Sequence, residues 1–208
     1  MNKRRLTAII ILILAILFFA SFSVFGKEIP DGFSEYIIKS GDSLKKIAPE
    51  AQWDIIMRVN KMDFHRLHPG KMILIPTDPN IIPDFFPVPK FIEEAKEHSR
   101  SVHVFLDIQY FGAYENGGLV FWGPISSGKS KYGTPRGIFN ISWKSKNYYS
   151  RKYKAKMPFA LNLSGSAIFF HQQLLPGFPA SHGCLRLLRS DAEKLFHWTK
   201  KDDFVYII

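Results

Sequence analysis

The pair Asn116-Gly117 stands between two runs of β-forming residues, Tyr110 to Glu115 and Leu119 to Ile125. Asn and Gly tolerate the left-handed backbone of a two-residue hairpin turn, so the runs are expected to pair antiparallel where they stand. The same texture continues on both sides. Val102 to Ile108 and Gly137 to Ser142 have strand length and pattern, and Phe204-Val205-Tyr206-Ile207-Ile208 reads as a last strand. One helix is predicted in between, because Ser190-Asp191-Ala192-Glu193 has the capping-box pattern and Ala192, Leu195, Phe196 and Thr199 form an apolar stripe. Residues 101–208 are therefore expected to form a mostly β domain within an α+β chain.

The stretch 35–77 reads as a separate βααβ module. Tyr36 to Lys39 is a short strand, Ser40-Gly41-Asp42 a turn, and Ser43 to Ala48 a short helix that Pro49 ends. A second helix over 52–60 sets Trp53, Ile56, Met57 and Asn60 along one side, and His68-Pro69-Gly70 turns into a strand over 71–76. Residues 78–100 hold Pro79, Pro83, Pro87 and Pro89, which predicts an extended, semi-rigid linker rather than packed structure.

Residues 1–26 read as a signal peptide or signal-anchor helix. Lys3-Arg4-Arg5 precedes an uncharged run from Leu6 to Phe25, about twenty residues and long enough to span a bilayer, with its N-terminus kept in the cytosol. Its length favours retention as an anchor, while Ser21-Phe22-Ser23 and Val24-Phe25-Gly26 offer cleavage sites. Either way the body is expected to be exported, to the periplasm or cell wall. There the formal charge of +10, three of it before the apolar run, suits anionic wall polymers, and nucleic acid is not expected as a partner. The basic, tyrosine-bearing stretch 143–156 is expected to lie over a cleft.

The chain has one cysteine, Cys184, in the run Ser181-His182-Gly183-Cys184-Leu185-Arg186, thirteen residues after His171. A single exported thiol cannot form an internal disulfide and stays free for chemistry, and an imidazole partner can move its proton. If 181–187 is extended, His182, Cys184 and Arg186 share one face, and both neighbours favour the thiolate. The amides of Gly183 and Cys184 are then candidate oxyanion donors, and Arg186 is suited to a substrate carboxylate. His65, His68, His103 and His197 lack a ligand spacing with Cys184, so no metal site is expected.

Read whole, Ser-His-Gly-Cys-Leu-Arg preceded by a histidine resembles the signature of the L,D-transpeptidases, whose catalytic module is called the YkuD domain. Val102 to Ile108, Leu119 to Gly128, Thr134-Pro135-Arg136-Gly137-Ile138-Phe139, Met157-Pro158-Phe159 and Ser166 to His171 extend the resemblance over residues 101–208, with a shorter loop before Ser181 than is commonest. Tyr36 to Pro76 is similar to a LysM repeat, a glycan-binding βααβ module. The resemblances imply that Cys184 attacks a peptidoglycan stem tetrapeptide, releases D-alanine, and passes the thioester-held stem to an amine of a neighbouring stem, a 3→3 cross-link. They imply His171 as base and acid, His182 and Gly183 as supporting groups, and Ser181 and Arg186 as substrate contacts. Gly41, Asp42, Ser43, Leu44 and Asn60 would line a groove for glycan strands, and no cofactor is implied. The acceptor has no motif, so an L,D-carboxypeptidase or a wall-anchoring transpeptidase with the same nucleophile stays open, as does a non-catalytic peptidoglycan-binding protein. The glycan module is expected to be separable, its removal weakening wall binding but sparing turnover of soluble peptide. The sequence leaves the oligomeric state open.

Overall fold

A computed structural model of the chain describes residues 28–63, 65 and 67–208, so the expected signal or anchor segment lies outside the described residues. Among the described residues no helix is long and apolar enough to cross a membrane. Residues 31–208 form one unit.

Its first part is the βααβ arrangement. Strands β1 (Phe33–Ile37) and β2 (Met72–Pro76) pair antiparallel, Phe33 opposite Pro76 and Ile37 opposite Met72. Helices α1 (Leu44–Ile47) and α2 (Trp53–Val59) cover the sheet. Ile38, Leu44, Ile56, Met62 and Ile73 pack together as its core. Gly41 turns the chain at φ +80°, where a side chain would be strained. Asn60 ties α2 to β2: its amide donates to the carbonyls of Ile56 and Leu74, both at 2.8 Å, and its oxygen accepts the Leu74 N–H at 2.8 Å.

The proline-rich stretch holds irregular backbone, bends and a short 3-10 helix at Glu93–Glu97, and it is packed. Phe85 sits edge-on to Phe33, Tyr110 and Trp122 with centroids 5.8, 6.2 and 5.5 Å away. Val88 is buried, and Gln52 Nε2 donates to the carbonyls of Asp78 and Ile81 at 2.7 Å. The apolar residues between the prolines find a seam to fill, which prolines alone do not reveal.

The second part is a closed barrel of β3 (Ser101–Phe105), β4 (Tyr110–Glu115), β5 (Gly118–Ser126), β6 (Gly137–Ser150), β7 (Ala155–Leu163), β8 (Phe169–Gln172), β9 (Leu185–Leu187) and β10 (Phe204–Ile207), in the order β10-β3-β4-β5-β9-β8-β7-β6. At the β4–β5 turn Asn116 and Gly117 take φ of 47° and 85°, the doubly left-handed hairpin that the Asn-Gly pair predicts. Val102, Phe111, Ile125, Ile141, Leu161, Phe170 and Leu185 fill the interior.

Helix α3 (Arg189–Trp198) begins earlier than the capping box implies: its N-cap is Leu188, without a side-chain cap, and Ser190 lies inside the first turn. Asp191 is drawn elsewhere. Its Oδ1 accepts from Arg58 of α2 at 2.6 Å, while Arg58 also donates to the Trp122 carbonyl at 2.6 Å and to Asp54. With Tyr110 donating to the carbonyls of Arg58 and Val59 at 3.1 and 3.2 Å, the small module is fixed to the barrel. Asp191 is 1% exposed and its Oδ2 has no partner. Burial raises its carboxyl to about 6 despite the guanidinium, because desolvating a carboxylate outweighs one ion-pair contact.

Candidate active site

Strands β8 and β9 run parallel, with Phe170 beside Leu185, His171 beside Arg186 and Gln172 beside Leu187. Side chains alternate along a strand and neighbouring residues across a pair share a face. Phe170 and Leu185, buried in the barrel core, define the inner face. Phe169, His171 and Arg186 therefore take the outer one, and Cys184, immediately before β9, continues it. The register thus brings His171 and Cys184 to one side of adjacent strands.

Cys184 is 9% exposed and packs with Met157 and Ala160 of β7, Phe169 of β8 and, at the rim, Tyr148 of β6. Its Sγ accepts the Phe169 N–H and lies 4.0 Å from the Ala167 carbonyl oxygen. Burial pushes the thiol above its ordinary range, with Phe169 and Arg186 only partly opposing. This corrects the expectation of a thiolate: the resting sulfur carries its proton. His171 is 6% exposed, and burial lowers its imidazole to about 4, so it is neutral near pH 7. Its Nδ1 lies 2.9 Å from the Gln172 carbonyl oxygen; a carbonyl only accepts, so the proton sits on Nδ1 and Nε2 keeps its lone pair.

The approach to the sulfur differs from the predicted extended run. Gly183 has φ +112°, which breaks the alternation and turns His182 outward. His182 is exposed and stands between two tyrosines, its ring 4.7 Å from Tyr132 and 5.5 Å from Tyr153. Its predicted place beside Cys184 on one face is not formed. Nor is the Gly183 amide an open oxyanion donor, since it donates to Ser181 Oγ at 3.0 Å. Ser181, predicted as a substrate contact, is 2% exposed and spends its hydroxyl inward, donating to the Cys184 carbonyl at 2.6 Å.

Thr134, which the sequence marks only as part of the Thr134–Phe139 resemblance, has a larger role. Residues 133–136 are an irregular run with no turn. The Thr134 hydroxyl donates to the Gly183 carbonyl at 2.7 Å and accepts the Gly128 N–H at 2.9 Å. A threonine before proline was the available signal. The Gln172 carbonyl, a backbone group, had none.

The basic stretch is the long β6–β7 hairpin. Tyr148 stacks on Phe169 with centroids 5.2 Å apart and packs against the cluster that holds Cys184, and Tyr153 reaches His182. Lys146, Arg151, Lys152, Lys154 and Lys156 are exposed on it.

In the small module Gly41, Asp42 and Ser43 lie at the surface. Asp42 accepts the Lys39 N–H at 2.7 Å and the Tyr36 hydroxyl at 2.8 Å, and those bonds lower its carboxyl, the Lys39 amide foremost. Leu44 and Asn60 do not fit the predicted groove: Leu44 is in the core, and the Asn60 amide is consumed by Ile56 and Leu74. Among the described residues no cluster of His, Cys, Asp or Glu is arranged to hold a metal ion.

Residues 99–207 match the family model described as the L,D-transpeptidase catalytic domain, and residues 36–76 match that of the LysM domain. Among solved structures, an L,D-transpeptidase from Stackebrandtia nassauensis is 28% identical with TM-score 0.51, covering 54% of this chain and 56% of that one. L,D-transpeptidase 3 from Mycobacterium tuberculosis is 18% identical with TM-score 0.50, covering 53% and 61%, and shows the fold alone. The chain thus spans less than two thirds of these relatives' length. No curated protein sequence matches it.

Proposed function

Since this chain belongs to the L,D-transpeptidase family, we propose that it is a cysteine acyltransferase of peptidoglycan that forms 3→3 cross-links through a thioester on Cys184. The observation that carries the reading is the shared outer face of β8 and β9, where His171, its Nδ1 set by the Gln172 carbonyl, stands diagonally across from Cys184. The acyl donor is a stem tetrapeptide, cut between its third residue and the terminal D-alanine.

Both partners are neutral at rest, so the reaction begins with proton transfer rather than from a standing ion pair. As Cys184 Sγ bonds to the donor carbonyl carbon, its proton passes to His171 Nε2. The carbonyl π pair moves to oxygen, for which the Cys184 amide is the proposed donor. Collapse breaks the C–N bond, and the imidazolium returns the proton to the departing D-alanine amine. The side-chain amine of a second stem then attacks the thioester, loses its proton to His171, and the thiol is regenerated. Arg186, beside His171 in the register, is proposed to hold a donor carboxylate. His182, between two tyrosines, shapes the entrance.

Residues 36–76 would hold glycan strands through the exposed Gly41–Ser43 turn, and the enzyme would work in the periplasm or wall. The deciding experiment incubates the full chain with purified tetrapeptide and resolves products by mass, with Cys184→Ala beside it. A cross-linked dimer short of one D-alanine supports the reading. Tripeptide alone would make water the acceptor, and no Cys184-dependent product would leave a binding protein.

A further inference from the structure

The loop that carries the chain from His171 to Cys184 is gripped from two sides. On the barrel side Gln173 N–H reaches the Leu187 carbonyl at 3.2 Å, Ser126 Oγ donates to the Phe178 carbonyl at 2.8 Å, and the amides of Ala180 and Ser181 both meet the Ser127 carbonyl at 2.9 Å. The other grip comes from the small module. Asp63 Oδ2 accepts the Leu175 N–H at 2.8 Å, and Asp63 N–H donates to the Leu175 carbonyl at 3.4 Å. Next to it Met62 forms a β-bridge with Pro176, and Lys71 Nζ lies 3.5 Å from the Pro176 carbonyl oxygen. Leu175 is fully buried and Asp63 nearly so.

These contacts form one rung of antiparallel pairing between the module and the loop before the nucleophile. A loop without its own secondary structure samples many conformations unless outside groups fix it. Beyond the rung the backbone bonds at Phe178, Ala180 and Ser181 follow, then the Ser181 hydroxyl on the Cys184 carbonyl. The half of the loop next to the sulfur is thus held by Ser126 and Ser127 of the barrel, and the half before it by Met62 and Asp63, the two joined through the chain at Gly177.

We propose that Asp63 is a positioning residue for acyl transfer, and that the LysM-like module completes the active-site loop instead of serving as a removable tether. The proposal rests on Cys184 being the nucleophile, and it replaces the expectation of a separable module.

The test measures three things on the full chain: the rate of Cys184 acylation by stem tetrapeptide, the rate of alkylation by iodoacetamide, and amide hydrogen exchange across residues 173–184. In Asp63→Ala acylation is expected to slow about 10- to 100-fold, the cost of misplacing a reacting group by about 1 Å. Alkylation by the small reagent, which needs no bound geometry, should stay near wild type while exchange at 175–177 accelerates and the barrel stays protected. Asp63→Asn keeps an oxygen for the Leu175 N–H and should restore most of the rate. Gly177→Ala attacks the contact from the other side: at φ +91° its Cβ would stand 3.3 Å from the Asn60 carbonyl oxygen, and it should slow acylation likewise even if Asp63→Ala folds poorly. The proposal is overturned if Asp63→Ala acylates at the wild-type rate although 175–177 exchange has sped up. It is overturned equally if acylation, alkylation and barrel protection decline together in all three variants. A wild type that is alkylated but never acylated would sink the nucleophile reading instead.

Discussion

Replacing Ser181 by Ala separates a residue that builds the site from one that touches substrate. The hydroxyl is 2% exposed, donates to the Cys184 carbonyl at 2.6 Å and accepts the Gly183 N–H at 3.0 Å. Its removal strands two buried backbone groups, each costing about 1–3 kcal/mol. Local relaxation recovers part of this, leaving a loss of about 2–4 kcal/mol. At this chain length each kcal/mol is about 2–4 °C, so the melting temperature should fall by roughly 5–15 °C. Gly183, held at φ +112°, loses its tether, and the sulfur shifts with it. Acylation should slow on the order of 10- to 100-fold, chiefly in kcat. Thermal unfolding and tetrapeptide kinetics on the same preparations give both numbers. A melting temperature within a degree of wild type combined with a rise in KM alone would refute the reasoning, because it would mean that the hydroxyl faces substrate.

The depressed proton affinity of His171 stabilises the fold above its ordinary value near 6.5 and is lost as pH falls toward 4; the difference is about 3 kcal/mol. Denaturant titrations at pH 7 and pH 4 should therefore show His171→Gln losing less stability than wild type by about that amount, while the raised carboxyl of Asp191, which acts in the opposite direction, cancels in the comparison. Because burial keeps the thiol protonated, iodoacetamide should alkylate the free enzyme slowly at pH 7, and faster in proportion to thiolate as pH rises past the ordinary cysteine range; rapid alkylation at pH 6 would contradict this. Arg58→Met strands Asp191 and should cost about 3–5 kcal/mol, whereas Arg58→Met with Asp191→Leu should come back to within about 1 kcal/mol of wild type, as read in a double-mutant cycle.

The sequence made local structure legible where one residue type has one physical use. Asn116-Gly117 specified its hairpin, Pro49 the end of α1, and the alternating runs the strands β3, β4, β5 and β10 and the start of β6, but not β7, β8 or β9. Cys184 and His171 were legible by type as a candidate pair, and the β8–β9 register supplied their shared face. What stayed hidden was long-range or backbone in origin. The capping box at Ser190 was plausible locally, but Arg58, distant in sequence, claims Asp191. Leu44 and Asn60 looked like groove residues, yet the module's small core and its α2–β2 tie needed them. The thiolate inference counted neighbouring charges and missed the apolar packing of Met157, Ala160 and Phe169, which only the fold assembles. Asp63 and Leu175 carry no local signal of their meeting.

The central claim is that Cys184 becomes covalently acylated by the stem. Intact-protein mass spectrometry after mixing the full chain with tetrapeptide tests it directly. An adduct equal to the tetrapeptide less D-alanine is expected, mapped to Cys184, discharged by an amine acceptor, and abolished in Cys184→Ala. Turnover that persists in Cys184→Ala, or product formed while the sulfur stays alkylated, would contradict it.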